Sequence, residues 1–152
     1  MFRKMRRKKQ ELTEKQCLDI LRRAKTATLA LSGDDGYPYS VPMNFVYEDG
    51  KIYFHGAKEG HKIDAIKNNP KVSMSIIDQE DVIEEELTTY FRSVILFGKA
   101  RILQEDDEIY HAIETLGLKY NEDEVTVEKE IQREWKALCC IEITIEHISG
   151  TC

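Results

Sequence analysis

No apolar run in these 152 residues approaches the ~20 needed to cross a bilayer. The basic start is not followed by the apolar stretch of a secretory signal, so the expected location is the cytoplasm. The four cysteines, Cys17, Cys139, Cys140 and Cys152, include no C-x-x-C pair, which argues against a disulfide framework and against a shared metal. Cys139 and Cys140 are adjacent, and in an extended segment their side chains point to opposite faces. There is no G-x-G-x-x-G fingerprint of a dinucleotide fold. Internal repeats and dividing linkers are also missing. His111 and His147 have no ligand spacing to another His or Cys, so both read as structural or surface residues.

The first ten residues contain no acid but hold Arg3, Lys4, Arg6, Arg7, Lys8 and Lys9. Since the chain's formal net charge is −6, everything after this segment carries −12. Residues 1–11 therefore read as a basic tail and 12–152 as a single acidic domain. Such a tail can touch nucleic acid or an anionic surface, or fold back on the acidic body or a partner subunit. Phe2 is its only aromatic, which leaves no stacking platform, so a nucleic-acid partner is not expected.

Thr13-Glu14-Lys15-Gln16 reads as a capping box, and Cys17, Ile20, Leu21 and Ala24 follow at helical spacing. Residues 26–32 alternate as a half-buried strand does, and Gly33 to Gly36 turn the chain. A second strand, Tyr39 to Glu48, is interrupted by Pro42, which marks an edge, a bulge or a ligand contact. Asp49-Gly50 predicts a type I′ hairpin into a third strand, 51–55. Strands at 72–77, 88–103 and 140–146 complete a count of six, with Gly98 as a bulge. Asp78 to Leu87, with Glu84-Glu85-Glu86, reads as an acidic surface loop. Acids at 105–108 open a helix with a stripe from Ile109 to Tyr120, and another helix carries Val127, Ile131, Trp135 and Leu138. The predicted class is α+β, mainly β: a six-stranded antiparallel split barrel with peripheral helices.

Tyr53 to Pro70 organises the rest. The strand runs out at His55, two glycines open a short loop, and a helix starts near Gly60 or His61 and ends before Asn69-Pro70. Free backbone N–H groups at the positive end of a helix dipole make a phosphate site, and Lys58, His61 and Lys62 add charge there. A lysine in the first turn is unfavourable without an anion partner, which singles out Lys62. His55, a residue that titrates near neutrality, is the candidate catalytic proton donor.

The ordered words Gly36-Tyr37-Pro38-Tyr39, Val41-Pro42-Met43, Tyr53-Phe54-His55, Gly60-His61-Lys62-Ile63, Asn69-Pro70-Lys71-Val72, Tyr90-Phe91-Arg92-Ser93-Val94 and Phe97-Gly98 resemble the FMN-binding split-barrel superfamily of pyridoxamine 5′-phosphate oxidase. They are closest to its nitroimidazole-reductase-like branch. The resemblance implies a homodimer with FMN between subunits, taking electrons from a reduced nicotinamide to a small-molecule acceptor. It implies that Met43, Asn44 and Phe45 line the isoalloxazine, that His55, Gly56 and Ala57 follow the ring and ribityl chain, and that Ser93 contacts the flavin. His61 and Lys62 would hold the phosphate, with Lys58 near it. His61 stands where the oxidases have arginine, so one fixed charge becomes a titratable one. The resemblance also admits another class, a flavin- or haem-binding carrier or sensor without turnover.

Overall fold

The computed structural model describes the backbone of residues 2–83 and 88–152, and the side chains of all of these except 79–91. Thr13 caps α1 (Glu14–Arg23): its Oγ1 accepts from the Gln16 N–H at 3.2 Å, and Gln16 Oε1 accepts from the Thr13 N–H at 2.8 Å. The chain continues through β1 (Thr26–Ser32), β2 (Pro38–Asn44), β3 (Val46–Glu48), β4 (Lys51–Gly56), α2 (His61–Asn68), β5 (Lys71–Ile83), β6 (Thr88–Ile102), α3 (Asp106–Tyr120), α4 (Glu124–Glu134) and β7 (Cys139–Thr151). Asp49 and Gly50 both take positive φ (48° and 79°), the type I′ geometry that joins β3 to β4.

The class is α+β and mostly β. The seven strands form one antiparallel sheet in the order β2-β1-β5-β6-β7-β4-β3. Its two edge strands, β2 and β3, are consecutive in sequence and separated only by Phe45. One residue spans about 3.5 Å at most, so the sheet must curl until its edges meet. The edges join by covalent continuity, with no β2–β3 ladder among the described residues. This seam also corrects the expected strand count. Tyr39 to Glu48 is two strands, because its two halves pair on opposite sides of the barrel: β2 with β1 and β3 with β4.

A second correction concerns Asp78 to Leu87. Asp78 to Ile83 belongs to β5, which pairs with β6 as far as Ile83↔Thr88. A ladder is made by backbone groups and needs no apolar alternation, so the acidic composition hid it. Residues 84–87, and with them Glu84-Glu85-Glu86, lie outside the described residues. Leu138 is not on the last helix: α4 ends at Glu134 and a single 3-10 turn, Trp135–Ala137, leads out of it.

The core lies inside the curl. Leu29, Ile52, Phe54, Met74, Ile76, Val94, Leu96, Ile141 and Ile143 point inward, fully buried or nearly so. Helix α1 packs across β3, β5, β6 and β7 and inserts Ile20 and Leu21. Each such side chain contributes ~1.5–3 kcal/mol by leaving water. A second cluster (Val46, Tyr53, Ala112, Leu116, Val127, Ile131 and Cys140 among its members) lies outside the barrel, beneath α3 and α4. Cys139 and Cys140 fall in different clusters, as their adjacency predicts. Between Phe97 and Gly98 the β6–β7 register shifts, and a Cβ on Gly98 would lie 2.3 Å from the Thr144 carbonyl oxygen. Only glycine fits this bulge.

Candidate functional site

Strand β4 ends at Gly56 and α2 begins at His61. The N-cap between them is Gly60 at φ 140°, a conformation that disfavours other residues, and no side chain caps the helix. The N–H groups of His61, Lys62 and Ile63, which have no intrahelical acceptor, therefore face the corner. Half-buried Lys62 arches back over the strand end. Its Nζ lies 5.6 Å from the centroid of the Phe54 ring, and a Cβ added to Gly56 would sit 3.5 Å from that Nζ. Among the described residues Lys62 meets no carboxylate within 4 Å. The His61 ring stacks on Tyr39 at 4.0 Å, and its Nε2 lies 3.8 Å from Asp34 Oδ2. The corner thus draws on β2, the 34–36 turn, β4 and α2. Ala57 and Lys58 lie exposed on the connecting turn.

Alternation along β4 sends Phe54 inward and His55 outward, onto the face that carries α3 and α4, where His55 is only partly screened from solvent. There His55 lines a cavity of about 220 Å³ with Ile113, Gly117, Ile131, Glu134 and Leu138. A Cβ on Gly117 would approach Val127 Cγ1 to 2.8 Å, so this glycine sets how closely the two helices cross. Burial, and then the positive charge of Lys62, pull the His55 pKa below 6.5, with Glu134 acting the other way. The neutral imidazole prevails at neutral pH. A larger cavity of about 580 Å³ on the outer side of α3 and α4 shares none of the corner residues.

Met43 points into the barrel from edge strand β2, half-buried against the core, while Asn44 is exposed. Phe45 is fully buried at the seam. The Tyr120 hydroxyl accepts from its N–H at 3.1 Å and lies within donating distance of its carbonyl, to which Lys119 Nζ also donates at 2.9 Å. One chain does not bring Ser93 to the corner. Buried on β6, Ser93 is opposite Thr151 on β7, whereas His55 is opposite Cys140 on the same strand. Eleven residues of extended chain, roughly 36 Å, separate those two positions.

Residues 13–151 match the family model described as pyridoxamine 5′-phosphate oxidase. The chain belongs to the pyridoxamine 5′-phosphate oxidase family. Among solved structures, it resembles a candidate 5-nitroimidazole antibiotic resistance protein of Bacteroides thetaiotaomicron, with a TM-score of 0.75 and 21% identity over 92% of this chain and 84% of that one. The FAD and heme binding protein of Mycobacterium smegmatis superposes with a TM-score of 0.77 at 20% identity, covering 94% and 72% of the two chains. A FAD-binding protein of Mesorhizobium loti gives 0.64 at 22%, covering 92% and 94%. Likeness at these identities shows the fold. A curated relative, an uncharacterised protein of Rhizobium meliloti, is 27% identical over 100 residues, which are 66% of this chain and 61% of that protein. This chain thus matches about three fifths of that relative's length.

In this member of the pyridoxamine 5′-phosphate oxidase family, two groups near the site were not singled out from sequence. Tyr39 supplies the surface on which His61 rests, and its place in the alternation of β2 was the available signal. Glu134 joins His55 only through the α3–α4 packing, for which the sequence carried no local signal.

Proposed function

We propose that this chain is an FMN-binding oxidoreductase that takes electrons from a reduced nicotinamide to a small acceptor. The observation that carries the proposal is Lys62: a lysine with no carboxylate partner, in the first turn of an uncapped helix, arched over a glycine that leaves room for a ligand. These residues fit a phosphate dianion. Lys62 Nζ and the α2 N–H groups would hold it, His61 would flank it, and Gly56 would let the ribityl chain pass close to the backbone. When bound, the flavin supplies the hydride and electron chemistry. The chain's own part is orientation, exclusion of water and a proton. Neutral His55, which is open to solvent, would take a proton from water at its ring nitrogen and pass it to an acceptor seated in the cavity under α3 and α4. The flavin-binding relatives and the resistance-protein relative support this reading.

The separation of Ser93 from the corner supports a homodimer, since a second copy is needed to bring a Ser93 to the flavin. Exposed Ile77 and Ile95 on the outer face of β5 and β6 offer an apolar surface for that copy.

The test is the visible spectrum of the purified protein, with FMN titration of the flavin-free form. Lys62→Ala is expected to weaken FMN binding at least tenfold with the melting temperature unchanged. Equal affinity would remove Lys62 from the site, and a colourless protein that binds no FMN would sink the proposal. The FAD and heme binding relative favours one alternative, a carrier or sensor. That reading predicts a rate of nicotinamide oxidation no higher than that of free FMN.

A further inference from the structure

The basic tail is folded onto the barrel. The Phe2 ring stacks on Phe97 at 5.3 Å and on His147 at 5.0 Å, across the outer face of β6 and β7. The tail is also tied at its other end: Leu12 N–H donates to the Gly150 carbonyl and Cys152 N–H to the Gln10 carbonyl, each at 2.9 Å, and Glu11 bridges to Thr151. Between these two anchors the tail and β7 enclose a cavity of about 340 Å³, lined by Arg3, Lys4, Lys8, Glu11, His147 and Ser149. Three exposed basic residues and one acidic residue thus line it. Among the described residues none of the three cations meets a carboxylate within 4 Å. On a chain whose remaining residues carry −12, this is a concentrated positive site.

We infer that this cavity is a diphosphate-binding site, and that the tail is the arm that grips the diphosphate of a dinucleotide. Three basic residues around one cavity suit a diphosphate better than a single carboxylate. The volume lies at the lower end of small-molecule sites, which run from roughly 300 to 1,000 Å³. A nucleic acid is disfavoured because the tail's one aromatic is already stacked on the protein and the acidic body repels a long polyanion. Position argues for a role next to the flavin. Ser149 pairs with Ile95, two residues from Ser93 on the same outward face, or about 7 Å along the strand. If a second copy brings its Ser93 to the flavin, it brings this cavity too; that link rests on the proposed function, whereas the diphosphate chemistry does not.

The experiment is calorimetric titration of inorganic pyrophosphate into the full-length Lys62→Ala chain, in which the α2 corner has lost its lysine and is weakened as a competing anion site. Micromolar to low-millimolar binding is expected. It should weaken at least tenfold in the added triple variant Arg3→Glu, Lys4→Glu, Lys8→Glu, and severalfold in Phe2→Ala, which keeps every charge but removes the anchor. Absence of pyrophosphate binding would overturn the inference, as would equal affinity in the triple variant. Binding of a short oligonucleotide but not of pyrophosphate would overturn it in favour of nucleic acid. Displacement of pyrophosphate by a reduced nicotinamide dinucleotide supports the inference with the electron donor as source, and displacement by FAD supports it with the flavin as source. Loss of FMN binding in the unmutated chain would defeat the proposed function and leave the pyrophosphate result standing.

Discussion

His55 and Lys62 are seven residues and one turn of structure apart, yet they share an electrostatic environment. Burial and Lys62 both hold the His55 pKa below 6.5. The folded chain therefore binds fewer protons at this position than the unfolded chain as pH falls through that range, and His55 destabilises the fold on the acid side only. A bound phosphate dianion would cancel the Lys62 charge. NMR titration of the His55 ring is accordingly expected to show a pKa that rises on FMN binding and also rises in Lys62→Ala without ligand. An unchanged value in Lys62→Ala would mean that the two side chains are not coupled. The fit of Lys62 to its corner was legible because a first-turn lysine is anomalous on its own helix. The surroundings of His55 were not, because Glu134 and Ile131 arrive from more than seventy residues away.

Helix α3 does more than cover the barrel. From its last turn, Lys119 Nζ donates to the carbonyls of Ala24 and Phe45 and lies 4.0 Å over the Phe45 ring, while the Tyr120 hydroxyl reaches Phe45 and Lys25. Two adjacent side chains thus satisfy the backbone of the seam and of the exit from α1. Burial lowers the Lys119 pKa from 10.5 to about 8. Between those values the folded chain binds fewer protons than the unfolded one, so this group makes stability rise with pH across that window. Lys119→Met is expected to cost about 1 kcal/mol at neutral pH, from the Ala24 carbonyl left without its lysine donor, and to flatten that rise. Urea denaturation at pH 7.5 and at pH 10 measures both, and an unaltered slope would assign the pH dependence elsewhere. Elements with a local signature were legible: the Thr13 capping box, the Asp49-Gly50 hairpin and the α2 boundaries. The break at Phe45 was not, since a strand that changes partners looks continuous in sequence. Asp78 to Ile83 was missed because side-chain composition does not report a ladder made by backbone groups.

At the scale of the whole molecule, the apolar residues left outside the barrel are as informative as those within it. Ile77 and Ile95 lie on adjacent strands, facing outward and more than two fifths exposed. If the proposed dimer forms through this face, Ile95→Asp is expected to shift it toward monomer in sedimentation by at least tenfold in dissociation constant, without unfolding a chain whose interior it does not touch. FMN affinity should fall with it, and a variant that stays dimeric would place the interface on another face. The barrel class was legible from strand count and hairpin signals. The separation of Ser93 from His55 was not, because it follows from register: their partners on β7, Thr151 and Cys140, stand at opposite ends of that strand. The seam has a mechanical consequence. An ordinary closed barrel can change its girth only by breaking a row of backbone hydrogen bonds. Here β2 is laddered to β1 and β3 to β4, with no β2–β3 ladder among the described residues, so parting them would strain the backbone at one residue and the grip of Lys119 and Tyr120 on it. The fold carries an expansion joint, and its clasp is a lysine that loses its charge near pH 8.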